Sequence, residues 1–491
     1  MNSDENKFKD YLGKSLIVIS FLVLILMVGL IIQKPFLHID EWFTRGLLYT
    51  SFNDMITLTA NDVHPPLYYI TVILPVVILN SLNISYDTVF VMKMMSVIPY
   101  IVLIIISATK IRKDYSWLTA GIFSLTLITM SGFFSNYSIA RMYPLGLLLV
   151  VISVICAGEI LKQSKLKYWI LLVIFSLAGA YTHYFVAVSC VAIYLILFIH
   201  LLLENKSEIK NWFVSVIIGI IGYSPWVIIL YRQMSHVHES FWIKELTIEK
   251  CFQFFGSIFT TTSDFTFNII LTAIFAMFLI TLLIYYKNSP KDYEFELFSV
   301  LVFIATVLFG IIASVVFKPI LVERYLIPSF ALVWLSVSIF ISKFDLKKVI
   351  IPFVILLLLF SAFNVYDQIE DISQNHDTLV KNEAFLDNLN NNDSVFIISS
   401  KVKYVHFNNE LNDSIIYSGF SVDKKEDGEY FAKIYGNEEY KFLIPDDLDK
   451  YSDKNIYITY KKSDKLDLPS YVSLKEVGKV ENCIFAKLTK N

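Results

Sequence analysis

The sequence predicts an α-helical protein that crosses a membrane about eleven times and ends in a small α+β domain. Of its 491 residues, 56% are hydrophobic and 17% are charged, whereas an average soluble domain has about 25% charged residues. The apolar residues form long uncharged runs, and the composition becomes polar abruptly at Tyr366. This composition excludes a soluble multidomain enzyme. The net charge of −3 gives no basis for a nucleic-acid partner, because that recognition needs a basic surface.

The first membrane helix is predicted at Ser15–Gln33, which has no charged residue and is long enough to cross a hydrocarbon core of about 30 Å. It is too long for the apolar part of a cleaved signal, and no small-residue cleavage site follows, so we expect it to remain. Further apolar runs of spanning length lie at residues 88–108, 117–140, 143–161, 168–183, 185–203, 212–230, 267–286, 296–317, 326–342 and 347–365.

One shorter apolar run, Pro65–Asn80, is interpreted differently. Its length is below the usual minimum for a span, and it starts with two prolines, which are tolerated in a first helical turn. We therefore interpret it as a juxtamembrane helix in a long outer loop over residues 34–87. The alternative, in which it spans, gives twelve crossings and puts one cationic loop on the wrong side.

The orientation is predicted from the short loops, because cytoplasmic loops carry an excess of Lys and Arg. Cationic loops occur at every second connection, near residues Lys110, Lys165, Lys206, Lys291 and Lys347. With these loops inside, the amino terminus is cytoplasmic. The protein is then a multi-pass protein of the cell membrane. Its extracytoplasmic side carries the connections at 131–143, 183–185, 231–265 and 318–325 and the carboxyl terminus.

The tail is predicted to form a separate extracytoplasmic domain over residues 366–491, after a membrane domain over residues 1–365. It begins with a polar helical stretch at Asp367–Leu389. Strand-like runs follow at Ser394–Ser399, Ile415–Ser418, Asn455–Tyr460 and Tyr471–Lys487, which indicates an α+β domain. The four cysteines show no metal-ligand spacing, so no metal site is assigned and no cofactor is expected, although a divalent metal ion stays open.

The acid pair Asp40–Glu41, directly after the first span, is the first candidate for chemistry. Neighbouring acids on a helix cannot face one point, so one of them would face a reacting group and the other would orient it. A carboxylate within hydrogen-bond reach can act as a general base toward a hydroxyl. Taken alone, the pair is more simply interpreted as two solvated acids at the membrane surface.

Three cations on the same predicted side favour a chemical role for the acid pair over two solvated acids. Lys93 lies a few residues inside the outer end of the second span, and Arg141 and Arg324 flank later spans. An ionisable group inside a membrane span is costly and is by default a functional hypothesis. Three cations at the outer leaflet would suit a phosphate at headgroup depth, because the guanidinium group of Arg matches phosphate oxygens.

The order of five short motifs is similar to that of a known superfamily. They are Asp40-Glu41, His64-Pro65-Pro66-Leu67-Tyr68-Tyr69, Ala140-Arg141-Met142-Tyr143, Tyr181-Thr182-His183-Tyr184-Phe185 and Glu323-Arg324-Tyr325-Leu326. Together they resemble the GT-C glycosyltransferases, the superfamily of protein O-mannosyltransferases (glycosyltransferase family 39) and aminoarabinose transferases. The resemblance covers roughly residues 10–345.

The resemblance implies an inverting transfer of a sugar from a polyprenyl-phosphate donor to an acceptor on the extracytoplasmic face. Asp40 would be the catalytic base, supported by Glu41. Donor and phosphate binding would fall to His64, Lys93, Arg141, Tyr143, His183, Arg324 and Tyr325. The implied partners are the lipid-linked sugar, membrane lipids and an acceptor that is a protein, a lipid or a glycan.

One departure and two alternatives accompany this interpretation. Family members often have a glutamate two residues before the arginine, where this chain has Ile139. This puts the identity of the donor in doubt and leaves open a structural subunit without the chemistry. A polytopic transporter or lipid flippase is the other alternative. It would place its site near the membrane midplane, often between two repeated halves, which this sequence does not show.

Overall fold

The computed structural model describes most of the chain. The described residues are 3–34, 37, 39–48, 50–130, 139–239, 243, 245–398, 414–419, 442–443, 448, 450–462, 466, 468, 470–480 and 483–490. The chain divides into two compact units. The first comprises Met1–Gln33 and Ile56–Glu370, and the second comprises Lys34–Met55 and Asp371–Asn491.

Helices account for most of the described chain. In chain order the described helices are α1 (Ser3–Gln33), α2 (Ile39–Leu47), α3 (Phe52–Asn61), α4 (Leu67–Ser81), α5 (Thr88–Ile106), α6 (Arg112–Asp114), α7 (Trp117–Thr129), α8 (Tyr143–Lys162), α9 (Leu166–Ala180), α10 (Tyr184–Glu204), α11 (Ile209–Glu239), α12 (Ile248–Gly256), α13 (Phe265–Asn288), α14 (Pro290–Val316), α15 (Glu323–Ser342) and α16 (Ile351–Leu389).

Side-chain caps fix where several of these helices begin. The Asp87 carboxylate accepts a hydrogen bond from the backbone N–H of Phe90 (2.8 Å), and Asp264 accepts one from Phe267 (2.7 Å). The hydroxyl of Ser116 does the same at the start of α7. Such caps satisfy backbone N–H groups that have no partner inside the helix. They start each helix at the polar residue that precedes an apolar run.

The predicted membrane helices are confirmed as helices. Nine helices of the described chain are long and apolar enough to cross a membrane, judged by length and composition. The predicted spans at 117–140 and 168–183 correspond to the shorter apolar helices α7 and α9, and residues 131–138 lie outside the described part of the chain. The Pro65–Asn80 run forms α4, which is also one of the shorter helices.

The last predicted span and the predicted first helix of the tail are one continuous helix, α16. The change to polar residues at Tyr366 lies inside it, and the division between the two compact units falls between Glu370 and Asp371. The second unit also includes Lys34–Met55, which nothing in the sequence indicates. Within that unit the Lys34 ammonium group donates a hydrogen bond to the Ser373 hydroxyl (3.0 Å).

Four helices of the first unit approach closely around Val186 of α10. A β-carbon added at Gly146 of α8 would lie 2.6 Å from Val186 Cγ2 and 3.3 Å from Pro328 Cγ of α15. A β-carbon added at Gly179 of α9 would lie 2.7 Å from Val186 Cγ1. Only glycine allows this approach, because carbon atoms in contact prefer about 3.5–4.0 Å. Small residues of this kind let membrane helices pack with their backbones close together.

The second unit contains a mixed β-sheet. Its described strands are β1 (Ser394–Ile398), β2 (Ile415–Gly419), β3 (Phe442–Leu443), β4 (Asn455–Tyr460), β5 (Val472–Val480) and β6 (Cys483–Lys490), in the order β3-β2-β1-β4-β6-β5. Strands β1 to β4 pair in parallel, whereas β6 is antiparallel to both β4 and β5. The predicted small α+β region is confirmed, but the predicted single run Tyr471–Lys487 is wrong, because it forms two antiparallel strands.

Both faces of the sheet are covered, which explains why β1 is buried at every position. On one face Leu386 of α16 packs with Phe396 and Phe485. On the other face Val395 and Ile458 pack with Leu448. The alternation of side chains along each strand sends neighbouring residues to opposite faces.

Candidate functional site

The candidate site in the first unit begins with the turn between α3 and α4. This turn carries His64 and is followed by Pro65 and Pro66, which have no backbone N–H to satisfy. Directly after the prolines, the N–H of Leu67 donates to the carbonyl of Tyr181, 2.9 Å away, in the turn between α9 and α10. The histidine-proline-proline motif is therefore joined by its backbone to the Tyr181-Thr182-His183 motif.

His64 and His183 face each other across these two turns. Their ring centroids lie 5.4 Å apart, and both residues are buried. Burial, the nearby positive charges of Arg141 and Arg324, and His183 hold the pKa of His64 well below its ordinary value. Burial and the same two guanidinium groups lower the pKa of His183 to about 3. Both imidazoles are consequently neutral at physiological pH, and each carries one N–H donor and one acceptor nitrogen.

Aromatic rings surround His183. The ring of Tyr325 lies 4.9 Å from it, that of Tyr143 lies 5.5 Å away edge-on, and that of Phe185 lies 6.2 Å away. The close packing of α8, α10 and α15 occurs at Gly146, Val186 and Pro328. Three residues before each of these positions stands one ring of the cluster, namely Tyr143, His183 and Tyr325. Residues three apart share a helix face. The close packing of these helices therefore holds the three rings together.

Arg141 is a buried cation beside this cluster. Its Nη1 donates to the hydroxyl of Tyr69, 3.4 Å away, and its side chain is 5% exposed. The Ser96 hydroxyl of α5 donates to the carbonyl of Ile139, 2.9 Å away, and thereby fixes the segment that carries Arg141. Lys93, which is also buried, stands one helical turn before Ser96 on the same face of α5.

Arg324 approaches from the start of α15. Its guanidinium carbon lies 5.9 Å from the centre of the Tyr325 ring, and its charge reaches both histidines. The structure therefore brings His64, Arg141, Tyr143, His183, Arg324 and Tyr325 into one cluster. Positive charge beside neutral hydrogen-bonding groups in a poorly solvated place is suited to binding an anion, because electrostatic attraction is strong where water is excluded.

The predicted acids Asp40 and Glu41 lie in the first turn of α2, in the second compact unit. Glu41 is fully buried and Asp40 is half-buried. On the same helix the Arg45 guanidinium lies 5.0 Å from the centre of the Trp42 ring. A negative charge in the first turn is stabilised by the positive end of the helix dipole. Their predicted catalytic roles stay predictions.

Several residues of the site were not predicted from the sequence. Ser96 in α5 and Gln233 in α11 are buried polar residues, and both donate hydrogen bonds to the backbone of another element. Tyr69 was part of a predicted motif but had no role of its own. In the described part of the chain, no three His, Cys, Asp or Glu side chains are grouped as a metal site requires.

Comparisons with known proteins give a structural match only. No family model matches the chain, and no curated protein has a matching sequence. The apo crystal structure of ArnT from Cupriavidus metallidurans superimposes with a TM-score of 0.56 and 8% identity, covering 96% of this chain and 97% of that chain. ArnT from the same organism bound to undecaprenyl phosphate gives a TM-score of 0.59, again at 8% identity over 96% of this chain and 97% of that one. Over nearly its whole length the chain therefore has the fold of ArnT, which is the GT-C fold predicted from its motifs.

Proposed function

We propose that this protein is a membrane glycosyltransferase that moves a sugar from a polyprenyl-phosphate donor to an acceptor on the extracytoplasmic face. The observation that carries the proposal is the cluster of buried Arg141, His64 and His183 with half-buried Arg324 at the ends of apolar helices. One ArnT structure of this fold contains undecaprenyl phosphate, a lipid phosphate of the kind that such a cluster would bind.

The cluster would hold the phosphate of the donor. When the bond between the sugar and the phosphate breaks, negative charge grows on the phosphate oxygens. Fixed guanidinium groups in a poorly solvated site stabilise that charge most in the transition state, which is what accelerates the reaction. The neutral histidines add hydrogen-bond donors without adding charge. Lys93, Tyr143 and Tyr325 would complete the donor site.

The acid pair would act on the acceptor. Asp40 would take the proton from the attacking hydroxyl or amine, and the buried Glu41 would support Asp40. A single displacement of this kind inverts the configuration at the sugar carbon and needs no nucleotide. The predicted orientation, with a cytoplasmic amino terminus, puts this chemistry outside. The acceptor would be a protein, a lipid or a glycan of the cell envelope.

Binding of the donor phosphate can be tested directly. We expect the purified protein in lipid nanodiscs to bind undecaprenyl phosphate at least about tenfold more tightly than undecaprenol, because a charged hydrogen bond contributes about 1.5–3 kcal/mol. Arg141→Gln should abolish this preference. Arg112→Gln is the matched control, because Arg112 is exposed and stacks on Trp117 in another part of the unit. Equal affinity for the two lipids in the wild-type protein would contradict the proposal.

The transfer reaction needs a second test. Mass spectrometry of envelope glycans and glycolipids should show one sugar missing in a deletion strain. The wild-type gene should restore that sugar, and Asp40→Asn should not, although it should yield the same amount of folded protein. Full restoration by Asp40→Asn would refute the assignment of the base. A transporter or flippase would instead leave restoration independent of Asp40.

A further inference from the structure

Gln233 is a buried amide on α11, a helix whose side chains are otherwise mostly exposed. Its Nε2 donates to the carbonyl of Thr59 (2.9 Å) and to the carbonyl of Ala60 (3.2 Å). The Tyr184 hydroxyl donates to the Oε1 atom of Gln233. Both donor hydrogens and the acceptor of the amide are therefore used. A glutamine this well satisfied inside an apolar region forms a specific connection between elements.

The hydrogen bonds continue from Gln233 through Tyr184, at the start of α10, to Trp226 of α11. Trp226, two turns earlier on α11, donates from Nε1 to the hydroxyl oxygen of Tyr184, 3.1 Å away. Tyr184 is the residue next to His183, whose ring faces His64. The Trp226–Tyr184–Gln233 chain thus joins α11 and the start of α10 to the end of α3.

The two carbonyls that Gln233 binds lie in the last turn of α3, where helix carbonyls have no partner inside the helix. The chain leaves this turn through Asp62, whose N–H donates back to the carbonyls of Leu58 (3.0 Å) and Thr59 (3.3 Å), and reaches His64 two residues later. At its other end the same turn is held by the bond from Leu67 to Tyr181. The segment that carries His64 is therefore fixed at both ends. Gln233 of α11 holds the end of α3 before it, and the α9–α10 turn holds the start of α4 after it.

We propose that Gln233 is a positioning residue, which caps the carboxyl end of α3 and so holds His64 against His183. Its effect on ligand binding rests on the proposed function, because His64 belongs to the proposed phosphate site. The hydrogen bonds of Gln233 go to Thr59, Ala60 and Tyr184, so it would act on the site through His64. Without the amide, the Ala60 carbonyl loses this donor and the Thr59 carbonyl keeps the longer bond from the Asp62 N–H (3.3 Å), so the last turn of α3 is held less firmly.

Hydrogen–deuterium exchange tests the positioning role without any ligand. In the full-length protein in nanodiscs, Gln233→Leu should speed amide exchange at residues 61–64 by about tenfold, the factor expected from losing one to two buried hydrogen bonds. Ser235→Ala is the matched control, because Ser235 is exposed on the same helix and donates to the carbonyl of Tyr231 within that helix. Unchanged exchange in Gln233→Leu would overturn the proposal.

A second variant keeps the test decisive if Gln233→Leu does not fold. Tyr184→Phe removes the hydroxyl that holds the amide but leaves both bonds to α3 possible, so it should raise exchange at residues 61–64 by a smaller factor of about two to five. Exchange equal to that of the wild-type protein in Tyr184→Phe would also count against the connection.

Affinity for undecaprenyl phosphate provides the functional readout. Gln233→Leu should weaken binding about tenfold, and Gln233→Glu should weaken it at least as much, because a carboxylate cannot donate to the Thr59 and Ala60 carbonyls. Faster exchange with unchanged affinity would refute the link to His64. If the wild-type protein binds no lipid phosphate, the proposed function fails, while the exchange rates still decide whether Gln233 positions this turn.

Discussion

Substituting Gly146 by alanine should destabilise the first unit by about 1–3 kcal/mol, the usual cost of overpacking a core. The new methyl group would lie 2.6 Å from Val186 Cγ2, about 1 Å inside the normal contact distance. Val186 has little room to move, because its other methyl group lies only 2.7 Å from the position that a β-carbon on Gly179 would take. The helices must therefore separate, and the rings of Tyr143 and His183, one turn away, must separate with them.

A double-mutant cycle isolates this clash. Val186→Ala alone should cost about 1–3 kcal/mol through lost packing, but the double variant should be less destabilised than the sum by at least about 1 kcal/mol, because the smaller side chain makes room for the methyl group. The free energy of unfolding can be measured by steric trapping in bicelles. Gly219→Ala is the matched control, because no atom in the described part of the chain lies within 4 Å of its added carbon. Additive costs in the cycle, or equal stability of the two glycine variants, would refute the packing argument.

Two further predictions concern pH and orientation. Because the pKa of His183 is about 3 in the folded protein and 6.5 is its ordinary value, the unfolded chain binds more protons below pH 6.5, so stability should fall as the pH drops from about 6.5 toward 3. His183→Asn should reduce that slope by up to about 1.4 kcal/mol per pH unit in unfolding measurements between pH 4 and 7, and an unchanged slope would contradict a neutral, buried imidazole. A tag at the carboxyl terminus should be cleaved by protease added to intact cells, and protection of the tag would refute the predicted outside location of the tail.

The grouping of His64, Arg141, His183 and Arg324 was predictable because each lies just before an apolar helix. Helices that cross a membrane end at its two surfaces, so every second connection lies on the same side. The number of crossings between two connections therefore predicts whether residues far apart in sequence lie on the same side of the membrane, even when their contacts are unknown. The same counting predicts on which side they lie but cannot predict which rings touch.

Other features were not predictable, for physical reasons. Ser96 and Gln233 bind backbone carbonyls, which every residue possesses, so the sequence does not reveal the partner. The change of composition predicts that the last span ends at residue 365, but α16 continues to Leu389. A change from apolar to polar residues indicates that the chain passes from lipid into water, and not that the helix ends. Only a breaker such as Gly or Pro would indicate the end of the helix, and none follows Pro352 within α16.

The two neutral histidines keep the charge of the cluster constant when the pH around the protein changes. Arginine keeps its proton at every pH that a cell encounters, and the low pKa of His183, about 3, keeps its imidazole uncharged over the same range. An exposed histidine would change its charge near pH 6.5. The cluster around Arg141 and Arg324 therefore presents a constant charge to an anion when the surroundings become acidic. The unliganded site therefore meets an incoming phosphate with the same charge above and below pH 6.5.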